Sequence, residues 1–87
     1  MIFGRFKITG HSMQPTYKHG DQVIVFKFSK IKKGDVIVFK SNSKYLVKRV
    51  NKILNNTYFV SGDNRLDSLS VPSVKKSDII GRVIIKI

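Results

Sequence analysis

KYLVKRVNKILNNTYFVSGDN, residues 44 to 64, sets the fold class. Two runs rich in Val, Ile, Tyr and Phe, at 44–53 and 57–61, flank Asn55-Asn56, and asparagine tolerates the left-handed backbone that a tight hairpin turn needs. The stretch therefore predicts a strand, a turn and a strand. Working outward, 22–28, 35–40 and 79–87 have the same composition, and a short strand is expected around 6–9. Gly-Asp pairs and Ser-Asn-Ser separate the runs, each a turn former. No segment carries a helical stripe, although 14–19 has room for one short turn. The expected fold is all-β, a small coiled antiparallel sheet or barrel. GDQVIVFK (20–27) nearly repeats as GDVIVFK (34–40), which predicts two adjacent antiparallel strands.

The chain of 87 residues is bounded to a single domain, 1–87, with one modest core and no cysteine for a disulfide or thiolate site. Its unbroken apolar runs, Val23-Ile24-Val25-Phe26 and Val36-Ile37-Val38-Phe39, are far shorter than the roughly 18 residues a membrane-spanning helix takes. Arg5 and Lys7 interrupt any signal-peptide pattern. A cytoplasmic or peripheral membrane location is the resulting expectation. Seventeen Lys and Arg against 5 acids give a net charge of +12, a field that attracts nucleic acid, anionic lipid or acidic protein alike. Dedicated nucleic-acid binding calls for exposed aromatics among the basic residues, whereas Phe26, Phe39, Tyr58 and Phe59 lie inside apolar runs. A solvated basic surface is the better reading. All the acids are aspartates, and Asp21, Asp35 and Asp63 each follow a glycine, which assigns them to turns or ion pairs.

GHSMQPT, residues 10 to 16, suits neither helix nor long strand and presents Ser12. A serine hydroxyl needs a base to become a nucleophile. His11 is its neighbour, so in extended chain it faces the other way, and nothing in the sequence brings His19 back to Ser12. A lysine can serve if it is neutral near pH 7, a lowering from about 10.4 to 7–8 that burial can supply. Lys48 is the lysine placed for this. Strand alternation puts it on the face of Leu46 and Val50, while Arg49 turns to the opposite face, where an aspartate can pair with it.

Four boxes then resemble the type I signal peptidases, in that family's order. Ser12-Met13-Gln14-Pro15-Thr16 is similar to the box around the nucleophile, and Gly34-Asp35-Val36-Ile37-Val38-Phe39 to the strand that follows it. Tyr45-Leu46-Val47-Lys48-Arg49-Val50 resembles the segment of the lysine base, and Ser61-Gly62-Asp63-Asn64-Arg65 the family's Ser-Gly-Asp-Asn-Arg box. The resemblance implies a Ser-Lys serine endopeptidase on a coiled β-sheet, with Ser12 as nucleophile, Lys48 as general base and Ser68 orienting Lys48. The backbone N–H of Ser12 would face the oxyanion, and Asp63 and Arg49 would brace the sheet. An extended peptide segment of a precursor would be the partner, its small side chains resting on Ile8, Met13, Tyr17 and Val47. No cofactor or metal is implied. A peripheral contact with anionic membrane is a second expected partner, nucleic acid is not expected, and small soluble relatives that mature nickel-type superoxide dismutase offer the nearest parallel.

The sequence also departs from the family. Gly10 stands where some members have a serine completing the oxyanion hole, Ser70-Val71-Pro72 replace an Asp-Ser-Arg, and the N-terminal anchor has no counterpart. Two other readings compete: a self-cleaving domain of the LexA repressor type, with the same dyad and sheet, and a basic β-barrel binding nucleic acid without catalysis.

Overall fold

The computed structural model describes residues 2–27, 30–65 and 73–87. These form seven strands in one antiparallel sheet: β1 (Phe3–Lys7), β2 (Gln22–Phe26), β3 (Val36–Ser41), β4 (Lys44–Leu54), β5 (Thr57–Ser61), β6 (Val74–Lys75) and β7 (Ile79–Lys86), with one short 3-10 turn at Lys76–Asp78. Among the described residues no helix is long and apolar enough to cross a membrane.

The sheet is all-β and antiparallel, as the composition implies. At the β4–β5 turn, Asn55 and Asn56 have φ of 49° and 64°, the left-handed pair that a two-residue hairpin requires. The two Gly-Asp turns share one construction. Asp21 Oδ2 accepts the Lys18 N–H at 2.8 Å and Asp35 Oδ2 accepts the Lys32 N–H at 2.8 Å. Gly20 and Gly34 supply the positive φ, 93° and 95°, that each turn needs.

The near-repeat pairs differently from the sequence expectation. The strand order is β1-β2-β7-β3-β4-β5-β6, so β7 lies between β2 and β3, and the two similar strands run parallel to one another on either side of it. Gly81 makes the tight seam: a Cβ there would come within 2.5 Å of the Phe26 carbonyl oxygen and 2.7 Å of Val25. The repeated VIVF sequence therefore meets two environments. In β2 burial alternates, with Val23 and Val25 inward, whereas in β3 all four residues from Val36 to Phe39 are buried.

Both faces of β3 are covered. Ile37 and Phe39 join Val50, Tyr58, Val60 and Val74 in one apolar cluster, while Val38 joins Ile8, Val23 and Val25 in another. At about 25 cal/mol per Å² of apolar surface removed from water, this two-sided burial is what a short chain without disulfides has to hold it together. β4 runs along the same divide, Leu46 and Val50 packing toward the first cluster and Val47 toward the second. Ser12 lies in the β1–β2 connection and Lys48 in the middle of β4, so the sheet brings together residues far apart in sequence.

Candidate active site

The connection from β1 to β2 is pinched at its base, where the Ile8 N–H donates to the Asp21 carbonyl at 2.7 Å and the Gly20 N–H to the Ile8 carbonyl at 2.8 Å. Inside it, Tyr17 N–H donates to the Met13 carbonyl at 2.9 Å, and Met13 is buried as the plug that seats the loop. Ser12, half-buried, sits immediately before that plug.

Ser12 and Lys48 line one small cleft of about 40 Å³, together with Ile8, Met13 and Val47. Lys48 is 4 % exposed, the one charged side chain buried to this degree among the described residues. It pairs across the strands with Ile37, and it shares a face of β4 with Leu46 and Val50, as the alternation predicts. Tyr17 is not among the residues lining this cleft. It packs against the Ile8–Val25–Val38 cluster, and burial raises its phenol pKa above the usual value. Ser68 lies outside the described residues.

Residues 62 to 64 grip the Ser12 loop one after another. Gly62 presses on the Ser12 backbone so closely that a Cβ there would collide with the Ser12 carbonyl oxygen. Asp63 takes Arg49 in a two-pronged ion pair, Nε to Oδ1 at 2.8 Å and Nη2 to Oδ2 at 2.8 Å. It also accepts the Thr16 hydroxyl at 2.6 Å. The Arg49 bond holds the Asp63 carboxyl below the usual carboxylate range, against the opposing effect of partial burial, and the Thr16 bond adds to the lowering. Arg49 reaches further, to the Gly34 carbonyl at 2.7 Å. Asn64 donates its backbone N–H to the Ser12 carbonyl at 2.8 Å and its side-chain amide to the His11 carbonyl at 3.0 Å. One tripeptide thus ties the Ser12 loop to β4 and to the turn before β3.

Several of these parts were not singled out from the sequence. Lys7, Thr9, Tyr45 and Leu46 also line the cleft. Thr16 and Asn64 fall within the quoted boxes, but side-chain bonds to distant parts of the chain leave no local signature. His19 serves the loop rather than the serine, its Nδ1 accepting the Gly10 N–H at 2.9 Å. This fixes Gly10, at φ 83°, and engages its N–H. Among the described residues no group of three or more His, Cys, Asp or Glu could hold a metal.

The Peptidase S24-like family model matches residues 4–84. The chain belongs to that family. The chain is also similar to Signal peptidase I V of Bacillus subtilis (strain 168), 39 % identical over 54 residues. That match takes in 56 % of this chain and 32 % of the relative, so the chain covers about a third of that protein's length.

Proposed function

We propose that the chain is a serine endopeptidase in which Ser12 and Lys48 act as a dyad, cleaving an extended precursor segment after small residues. The observation that carries this reading is the burial of Lys48 in the cleft that Ser12 also lines. A strand lysine ordinarily keeps its ammonium in water. Desolvation favours the neutral amine, the form that can take a proton from a serine hydroxyl.

The steps follow from that pairing. Lys48 Nζ accepts the Ser12 hydroxyl proton as Oγ attacks the carbonyl carbon of the substrate, and the C–O bond forms. The negative charge on the substrate oxygen faces the Ser12 backbone N–H, a donor in the same peptide plane as the His11 carbonyl that accepts the Asn64 side-chain amide. The tetrahedral species then collapses, the peptide C–N bond breaks, and Lys48 returns the proton to the leaving amine. Water, deprotonated by Lys48, hydrolyses the acyl ester and frees Ser12. Because His19 engages the Gly10 N–H, a further oxyanion donor has to come from elsewhere than Gly10. Ser68 is proposed to orient Lys48. Ile8, Met13 and Val47 give the cleft an apolar wall, and its volume of about 40 Å³ favours alanine-sized side chains. Peripheral contact with anionic membrane is proposed from the +12 charge, at about 1 kcal/mol for each well-placed Lys or Arg.

The test is cleavage of a quenched peptide library rich in Ala-x-Ala by wild type, Ser12→Ala and Lys48→Ala, across about pH 6 to 10, with and without anionic vesicles. Cleavage by wild type alone, rising with pH as a lysine loses its proton, is expected. Equal cleavage by Ser12→Ala would sink the proposal. The family match also favours a second reading, self-cleavage of the LexA type. That reading expects the chain itself to fragment at a rate independent of its concentration, with no turnover of added peptide.

A further inference from the structure

Asn64 holds the chain on both sides of Ser12. Its side-chain amide donates to the His11 carbonyl at 3.0 Å, and its backbone N–H donates to the Ser12 carbonyl at 2.8 Å. Two consecutive carbonyls, one before the serine and one after, thus hang on a single residue 53 positions beyond His11 in the chain. A peptide unit is rigid and planar, and between two such units only φ and ψ of the shared residue are soft. Holding the planes on both sides of Ser12 therefore fixes those two dihedrals. They set the direction of the Ser12 N–H, which points opposite to the His11 carbonyl across a trans peptide, and the direction of the Cα–Cβ bond that carries Oγ.

The two holds are differently backed. Gly62 also presses on the Ser12 carbonyl, so closely that a Cβ there would collide with it. The His11 carbonyl, besides the amide, accepts the Gln14 N–H at 3.2 Å, the long end of the range for such a bond. The plane carrying the Ser12 N–H thus leans on the Asn64 side chain, whereas the plane after Ser12 leans on backbone contacts. We infer that the Asn64 side chain is a positioning residue for acyl transfer, aiming the Ser12 N–H at the oxygen on which negative charge develops. With the Gly10 N–H engaged by His19, that aim carries more of the stabilisation. The oxyanion's place in this rests on the peptidase reading; the clamp on the two planes does not. Removing such a donor outright costs about 10²–10³ in kcat, and a donor left in place but mis-aimed costs part of that.

Asn64→Ala removes the side-chain hold. Asn64→Asp keeps the shape but, ionised, accepts without donating, and both variants keep the backbone N–H. Asn51→Ala, which removes an amide bond of 2.8 Å to the Ser61 hydroxyl, is the control. Nitrogen relaxation is expected to show the Ser12 amide order parameter falling from about 0.85 toward the flexible range below about 0.6 in both Asn64 variants. The Met13 amide, on the other plane, should stay rigid, and Asn51→Ala should move neither. Turnover of an Ala-x-Ala peptide is expected to lose roughly tenfold to a hundredfold in kcat at unchanged KM, with the acid limb of the pH–rate profile in place. Affinity for the matching peptide aldehyde should fall by the same factor. There Ser12 Oγ adds to the aldehyde carbon, its proton passes to Lys48, and the former carbonyl oxygen takes the charge. An unchanged Ser12 order parameter in both Asn64 variants would overturn the clamp. A loss carried by KM, a displaced acid limb, or full activity in Asn64→Asp would overturn the aiming role. Thermal melts show whether each variant folds, and either one alone decides the relaxation result. If wild type neither cleaves the peptide nor binds the aldehyde, the Ser12–Lys48 dyad and the aiming role fall together, while relaxation still decides the clamp.

Discussion

Replacing Asp63 by Asn removes one negative charge from the point where β4, the Ser12 loop and the strand end after β5 meet. The Arg49 and Asp63 side chains are 35 % and 16 % exposed, between a surface pair, worth about 0–1 kcal/mol, and a buried one, whose rupture costs about 3–5 kcal/mol. The carboxylate also accepts the Thr16 hydroxyl, and an amide oxygen cannot serve Arg49 and Thr16 as well as two charged oxygens do. A loss of about 2 kcal/mol is the expected cost near pH 7, or roughly 8–16 °C in Tm for a domain of this size. The pH dependence has a definite sign. Because the folded-state pKa of Asp63 lies below its usual value, its contribution is fully present above the unfolded carboxylate pKa and is lost as pH falls through the folded one. Wild type and Asp63→Asn should therefore converge as the pH falls below the usual carboxylate range, which thermal or urea unfolding across the acid range will read. Equal stability near neutrality, or a gap that persists undiminished in acid, would refute the reasoning.

Gly62→Ala should push the Ser12 carbonyl away at a cost of about 1–3 kcal/mol; a nucleophile displaced by about 1 Å loses on the order of a hundredfold in rate, so peptide turnover should fall far more than the melting temperature. Lys48→Met, which fills the same space without an amine, should abolish cleavage yet keep stability within about 1.5 kcal/mol of wild type or raise it, as urea titration will show. Asn56→Gly should stabilise the β4–β5 hairpin by a few tenths to about 1 kcal/mol, because the backbone there already has a φ that glycine adopts without cost, and a higher Tm is the readout.

What the sequence disclosed and what it withheld divide along the range of the interaction involved. The β4–β5 hairpin was legible because Asn55-Asn56 encodes its turn locally, and the burial of Lys48 followed from alternation along a single strand. The Arg49–Asp63 pair was legible because both residues lie in recognisable boxes, with Arg49 on the face of β4 opposite Lys48. The neighbours of β7 were not legible: their pairing depends on Gly81 accepting the Phe26 backbone, a contact across more than half the chain. β6 has two residues, too few for composition to mark. The engagement of Gly10 by His19 depends on the path of a loop that no periodicity describes, and the role expected of Ser68 lies outside the described residues.

The position of β7 bears on how the two blocks of the sheet are held together. β1 and β2, with Ser12 between them, form one hairpin, and β3 through β6, with Lys48, form a second block. Among the described residues no backbone ladder joins β2 to β3 directly; each is paired with β7. β7 is thus a seam in the sheet between the block that carries Ser12 and the block that carries Lys48, beside the contacts of residues 62 to 64 with the Ser12 loop. Loosening β7 would open both of its ladders at once and leave the load between the two blocks on the grip that residues 62 to 64 keep on the Ser12 loop.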